Sequence, residues 1–189
     1  MDPILLWNEV ALEANRISHT NGKNEQTGPT LSSRALAIVH LAMYDAYAGI
    51  VNDPANLPRY IPAPPSPGGG TSPAKENAAI AAAAHTALSS LFPSQRPFFD
   101  SVLEGAGDEA SPAHNFGEAV AVAILADRAK DPDADEHGYK PSPLRGKHRP
   151  DPDNPGQGFH APIYGARSKA SPSQSDTSLP SRRSTTTST

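Results

Sequence analysis

Residues 28–50, GPTLSSRALAIVHLAMYDAYAGI, decide how the chain folds. Gly28-Pro29 interrupts whatever precedes it, and Thr30 or Ser32 is placed to cap a new helix. Leu31, Ala35, Ile38, Val39, Ala42, Met43, Ala46 and Ile50 then recur at helical spacing. Leu36, Ala37, Leu41, Tyr47 and Ala48 leave the opposite side hardly polar. A helix apolar nearly all round is a buried one, so this segment is expected at the centre of an all-α domain. Arg34, His40 and Asp45 are its polar exceptions and its candidates for chemistry.

Upstream, residues 2–21 read as a first helix, with Asp2 as cap and Pro3 at the first helical position, where a missing N–H costs nothing. Leu5, Leu6, Val10, Leu12 and Ile17 supply its apolar side, Glu9, Glu13 and Arg16 can pair locally, and Asn21-Gly22 is expected to end it. Downstream, Asp53 to Ser72 carries six prolines and Gly68-Gly69-Gly70, the composition of an extended surface connection. Ser72-Pro73 restarts a helix to about Phe92 whose middle is nearly all alanine. That composition favours helix and lets neighbouring helices approach closely. Ser94 is expected to cap a short helix carrying Phe98, Phe99, Val102 and Leu103, and Ser111-Pro112 opens a last one that Asp131-Pro132 ends. The expected architecture is an incomplete bundle of about five helices with no strand.

The chain divides by composition into a helical domain over 1–131, an extended Pro-rich connection over 132–166, and a tail over 167–189 in which more than half of the residues are Ser or Thr. Such a tail cannot bury enough surface to offset its ordering entropy and is expected to be disordered. In all, the 189 residues include 21 prolines and 14 glycines, with 37% hydrophobic residues, enough for one domain with a core. A net charge of -4 gives no electrostatic case for nucleic acid. The absence of cysteine excludes a disulfide framework, a thiolate metal site and a cysteine nucleophile. No secretory signal and no uninterrupted apolar stretch of about 20 residues is visible, so a soluble chain is expected, its compartment unspecified.

Few residues have a pattern that suits catalysis or metal binding. Arg34 and His40, six apart, would stand about 120° apart on a helix, which does not favour a shared ligand. Asp45, as a carboxylate in an apolar helix, is expected to pair with Arg16 or Arg34. His85 has Ala81 and Ser89 where a zinc-binding pair would need a ligand four residues away. Asp131, Asp133, Asp135 and Glu136 fail as a calcium loop, because Glu136 stands where glycine is needed and Ser142 where glutamate is needed. His137, His148 and His160 have no metal-binding spacing, and Glu9, Glu13 and Glu25 read as solvated. Catalytic, cofactor-binding and metal-ligating residues are accordingly all assigned as none.

Several composite motifs nonetheless resemble one family in its own order. They are Trp7-Asn8, Leu12-Glu13, Asn15-Arg16, Gly28-Pro29, Ser33-Arg34-Ala35-Leu36, His40-Leu41-Ala42 and Tyr44-Asp45-Ala46-Tyr47, then Ala84-His85 to Leu91-Phe92-Pro93. Tyr139-x-Pro141, Arg149-Pro150-x-Pro152 and His160-Ala161-Pro162-x-Tyr164-Gly165 continue the series. Over about residues 4–165 the chain resembles the N-terminal helical region of vanadium-dependent haloperoxidases, of the type 2 phosphatidic acid phosphatase and haloperoxidase superfamily. Ser33-Arg34 with His40 also matches that superfamily's third signature, Ser-Arg-x5-His, but the accompanying Lys-x6-Arg-Pro and Ser-Gly-His are absent from the sequence.

The resemblance implies a mostly α-helical protein of two bundles that uses hydrogen peroxide to oxidise halide at vanadate. It also implies that the vanadate-anchoring residues lie in a C-terminal bundle, which this chain is expected to lack, as a fragment or a truncated or frame-shifted reading frame. No vanadate residue is therefore carried over, and the implied partner is that bundle or an equivalent, with no nucleic acid and no membrane. Three readings follow: a scaffold domain inactive alone, a stand-alone helical protein-binding module, and a minimal oxyanion-binding enzyme using Arg34 and His40.

Overall fold

The computed structural model describes residues 2–104, 111–129, 131, 142, 144–146 and 153. Among them the chain forms α1 (Pro3–Ser18), α2 (Pro29–Val51), α3 (Pro73–Leu91), a 3-10 turn (Pro93–Gln95), α4 (Arg96–Leu103) and α5 (Pro112–Arg128), with no strand. The tail over 167–189 and nearly all of the connection over 132–166 lie outside the described residues.

Four of the helices start on the same device, a proline at the first helical position behind a capping residue. Asp2 Oδ1 accepts from the backbone N–H of Ile4 and Leu5, Ser72 Oγ from Lys75 and Ser111 Oγ from His114. At α2 the cap is Gly28, at φ 87°, rather than Thr30 or Ser32. Pro29 draws the first turn upstream, leaving both hydroxyls inside the helix, where Ser32 Oγ donates to the Gln26 carbonyl. The first helix ends at Ser18, before Asn21-Gly22. Ser18 Oγ bonds to the Asn15 carbonyl, His19 Nδ1 also reaches it, and Thr20 Oγ1 donates to that of Ile17. Side chains thus join the backbone N–H groups of Thr20 and Asn21 in satisfying the last carbonyls of the helix. Ser94 does not cap α4 either, which starts at Arg96 after the 3-10 turn. Its N–H and hydroxyl instead donate to the Glu25 carboxylate at 2.9 and 2.6 Å, so Glu25 is a clip between two loops rather than a solvated charge.

The hub of the bundle is α3, which packs against all four other helices. Ala78 to Ala84 are all buried, so their small side chains bring neighbouring helices close. Gly117 of α5 completes that approach: a Cβ there would stand 2.2 Å from the Ala79 carbonyl oxygen. The central place expected for α2 is therefore shared with α3. Around the alanines, Trp7, Ile38, Met43, Leu88, Phe92, Phe99, Val120 and Ile124 fill the core. By length and composition α2 is the one helix among the described residues that could cross a membrane, with a mean hydropathy of 1.2, but 56% of its apolar window is buried against the rest of the protein.

Residues 53–72 form no regular element, as expected, yet they are laid onto the bundle rather than held away from it. Tyr60 and Ile61 pack against the core, and Ser66 Oγ donates to the Gly49 carbonyl at 2.6 Å. The Arg59 guanidinium lies 5.2 Å from the centre of the Phe116 ring and donates to the carbonyls of Pro62 and Pro64. This strap is what makes sense of Asp45.

Candidate functional site

The three polar side chains of α2 are the first places to look, and the structure sends them in three directions. Asp45 is fully buried, and its Oδ1 and Oδ2 accept from the backbone N–H groups of Tyr60 and Ile61 at 2.7 and 2.8 Å. It pairs with neither Arg16 nor Arg34. Main-chain donors from the strap satisfy it, which a search for charged side-chain partners could not find. Burial pushes its carboxyl above the ordinary carboxylate range, against the opposing pull of the two N–H donors and of the Arg59 charge. Desolvation likewise lowers Arg59, with Asp45 acting to raise it.

Arg34 is committed as well. Its Nε donates to Asp131 Oδ2 at 2.8 Å and its Nη2 to the Arg128 carbonyl at 2.6 Å, while Arg128 Nε meets the same carboxylate oxygen at 2.9 Å. The guanidinium therefore closes the C-terminal end of α5, where carbonyls lack helical partners. His40 points elsewhere, exposed, with Nε2 3.1 Å from Asn8 Oδ1 of α1. An oxyanion seat needs cations or N–H donors converging on one point. Arg34 and His40 do not converge. Arg16, the other expected partner, forms a two-point ion pair with Glu13 on the surface, and its hydrogen bonding, more than its charge, lowers that carboxyl.

A second constellation, unseen in the sequence, lies between α3, α4 and α5. His85 Nε2 stands 2.6 Å from Asp100 Oδ1, and Arg96 reaches the same oxygen at 3.8 Å. His114 Nε2 is 3.5 Å from Glu118 Oε1. These five residues, with Leu103 and Glu104, line a cleft of about 350 Å³. An adjoining one of about 320 Å³ shares His85, Arg96 and Glu118 and adds Thr86, Ser89 and Ser90. The partner of His85 is 15 residues away across the α3–α4 turn, not at the helical neighbours Ala81 and Ser89. His114 and Glu118 were findable as an i, i+4 pair.

Chemically, the cleft offers two imidazoles, each beside a carboxylate. Three carboxylates face one guanidinium, so it is no seat for a multiply charged anion. Nor is any nucleophile aligned with His85, since the buried Ser89 hydroxyl makes no hydrogen bond. Among the described residues no group of three or more His, Asp or Glu side chains is placed to hold a metal ion. What the cluster does is fasten α4 to α3, together with the buried Phe99 and Leu103.

Comparison with known proteins turns these geometries into a family statement. The profile described as the vanadium chloroperoxidase N-terminal domain matches residues 1–170. The vanadium chloroperoxidase of Curvularia inaequalis is 34% identical, over 92% of this chain and 36% of its own length. The chain thus spans about a third of the curated relative it matches. An all-helical bundle, the ordered series of motifs and a match over most of the residues agree, and the chain belongs to the vanadium chloroperoxidase N-terminal domain family.

Proposed function

We propose that this chain is the helical scaffold of a vanadate-dependent protein that uses hydrogen peroxide to oxidise halide, and that it is inactive by itself. The observation that carries the reading is the closure of Arg34 onto Asp131 and the Arg128 carbonyl. The one superfamily signature in the sequence is thereby spent on joining α2 to α5, with His40 bound to Asn8 on another face. These residues do not fit vanadate. The anion needs several unneutralised donors about one point, and the described residues supply none in that arrangement. No catalytic step is therefore assigned to Arg34, His40 or the His85 cluster, and vanadate would be held by a part of the longer protein that this chain does not match.

The same reading treats the protein as soluble, because α2 combines membrane-like apolarity with a buried carboxylate and the packing of a core helix. The test is peroxide consumption and halide oxidation by the purified 189-residue chain supplied with orthovanadate, hydrogen peroxide and chloride or bromide. A scaffold gives no turnover above the protein-free control. Turnover that disappears in Arg34→Ala would replace this reading with an oxyanion-binding enzyme.

A further inference from the structure

The cleft between α3, α4 and α5 holds more chemistry than fastening α4 requires. His114 lines it with a side chain only 9% exposed. Its imidazole makes no hydrogen bond among the described residues and only approaches Glu118 Oε1, at 3.5 Å. Buried polar groups are normally satisfied, so a ring left open beside a cavity marks a place where a guest molecule can bind. Ser89 Oγ, also buried and without a hydrogen bond, lines the adjoining cleft.

The two clefts, of about 350 and 320 Å³, meet at His85, Arg96 and Glu118 and give room for a short chain-like molecule. What stands open in them is mostly acceptor. Asp100 is committed to His85 at 2.6 Å, but Glu104 forms no ion pair among the described residues, and half of the Glu118 side chain is exposed. An uncharged imidazole at His114 adds a lone pair, and so does the Ser89 hydroxyl. Three carboxylates against one guanidinium leave two negative charges in excess when the imidazoles are uncharged. Arg96 is no fixed obstacle to a cation, since its side chain is 66% exposed and reaches Asp100 only at 3.8 Å.

These groups select a guest by exclusion and by fit. A multiply charged anion is repelled. A bare metal ion finds no set of three ligands among the described residues. No Phe, Tyr or Trp lines either cleft, so the aromatic faces that hold a quaternary ammonium are missing. A primary ammonium group fits, because its three N–H donors match carboxylate oxygens and an imidazole lone pair. We propose that the joined clefts bind a small aliphatic diamine, its ammonium groups held by Glu104, Glu118 and the His114 ring. Its two positive charges match the excess of two negative ones. This site is independent of the scaffold reading.

The experiment titrates the full 189-residue chain with putrescine, followed by calorimetry and by the imidazole resonances of His85 and His114. The wild type should bind one equivalent saturably, with both ring resonances shifting. Glu104→Gln/Glu118→Gln should weaken binding at least tenfold, and Arg96→Ala should strengthen it. Glu9→Gln, which removes an exposed carboxylate on α1, should leave it unchanged. Should the double variant fail to fold, the wild-type resonances and Arg96→Ala decide alone. No saturable binding by the wild type overturns the site, and so does unchanged affinity in the folded double variant. Equal affinity for tetramethylammonium overturns recognition through N–H donors. Displacement by magnesium at the same concentration overturns the diamine in favour of a diffuse counterion.

Discussion

Toward the C-terminal end of α2, Asp45 is sealed from solvent and both its oxygens are taken by backbone N–H groups 15 and 16 residues on. Toward the other end, Arg34 keeps 17% of its side chain exposed and is held by a carboxylate 97 residues on. Both looked like functional groups in an apolar helix, and both are fasteners, one for the strap over residues 53–72 and one for the end of α5. They differ in what removal leaves behind. Without Asp45 two partly buried N–H groups lose their acceptor, whereas without Arg34 the Asp131 carboxylate still has Arg128.

That difference orders the expected effects. Asp45→Ala should destabilise most, by about 2–4 kcal/mol, because it removes two hydrogen bonds to a fully buried carboxylate and leaves two partly buried donors without an acceptor. Urea unfolding would show it, and limited proteolysis should cut within residues 53–72 first. Arg34→Ala should cost roughly 1–3 kcal/mol, with increased amide exchange at the last turn of α5. A loss as large as that of Asp45→Ala would remove the contrast between the two ends.

A smaller effect concerns pH. The folded state raises the Asp45 carboxyl above its ordinary value, so it favours the protonated form. Stability from this group is then full below the unfolded carboxylate range and declines as pH rises through the raised value. Asp45→Asn cannot titrate. The stability advantage of the wild type over it should be greater near about pH 4 than near about pH 7. An advantage that grows with pH would mean that the two N–H donors and Arg59 outweigh burial. His40→Ala should change stability least, within about 0.5 kcal/mol, since the ring is exposed and makes a single contact with Asn8.

What the sequence made legible follows the range of the interactions. Helix starts at Asp2-Pro3, Ser72-Pro73 and Ser111-Pro112 could be read because cap, proline and first-turn N–H groups are neighbours in the chain. The motifs from Trp7 to Tyr47 carried the family because each is contiguous. The partners of Asp45, Glu25 and His85 could not be read, because each depends on how separate elements dock. Asp45 was the most misleading, since a charge search looks for an arginine and the true partners are main-chain donors that carry no sequence signal. The hub role of α3 was half visible: its alanines announced close packing, but only the Gly117–Ala79 approach shows which neighbour they were shaped for.

The central claim is that the Arg34–His40 signature on α2 is structural, and orthovanadate titration of the 189-residue chain tests it most directly. A scaffold helix predicts no saturable heat at orthovanadate concentrations up to the millimolar range, for the wild type and for Arg34→Ala alike. Stoichiometric binding by the wild type that is lost in a folded Arg34→Ala variant would contradict it.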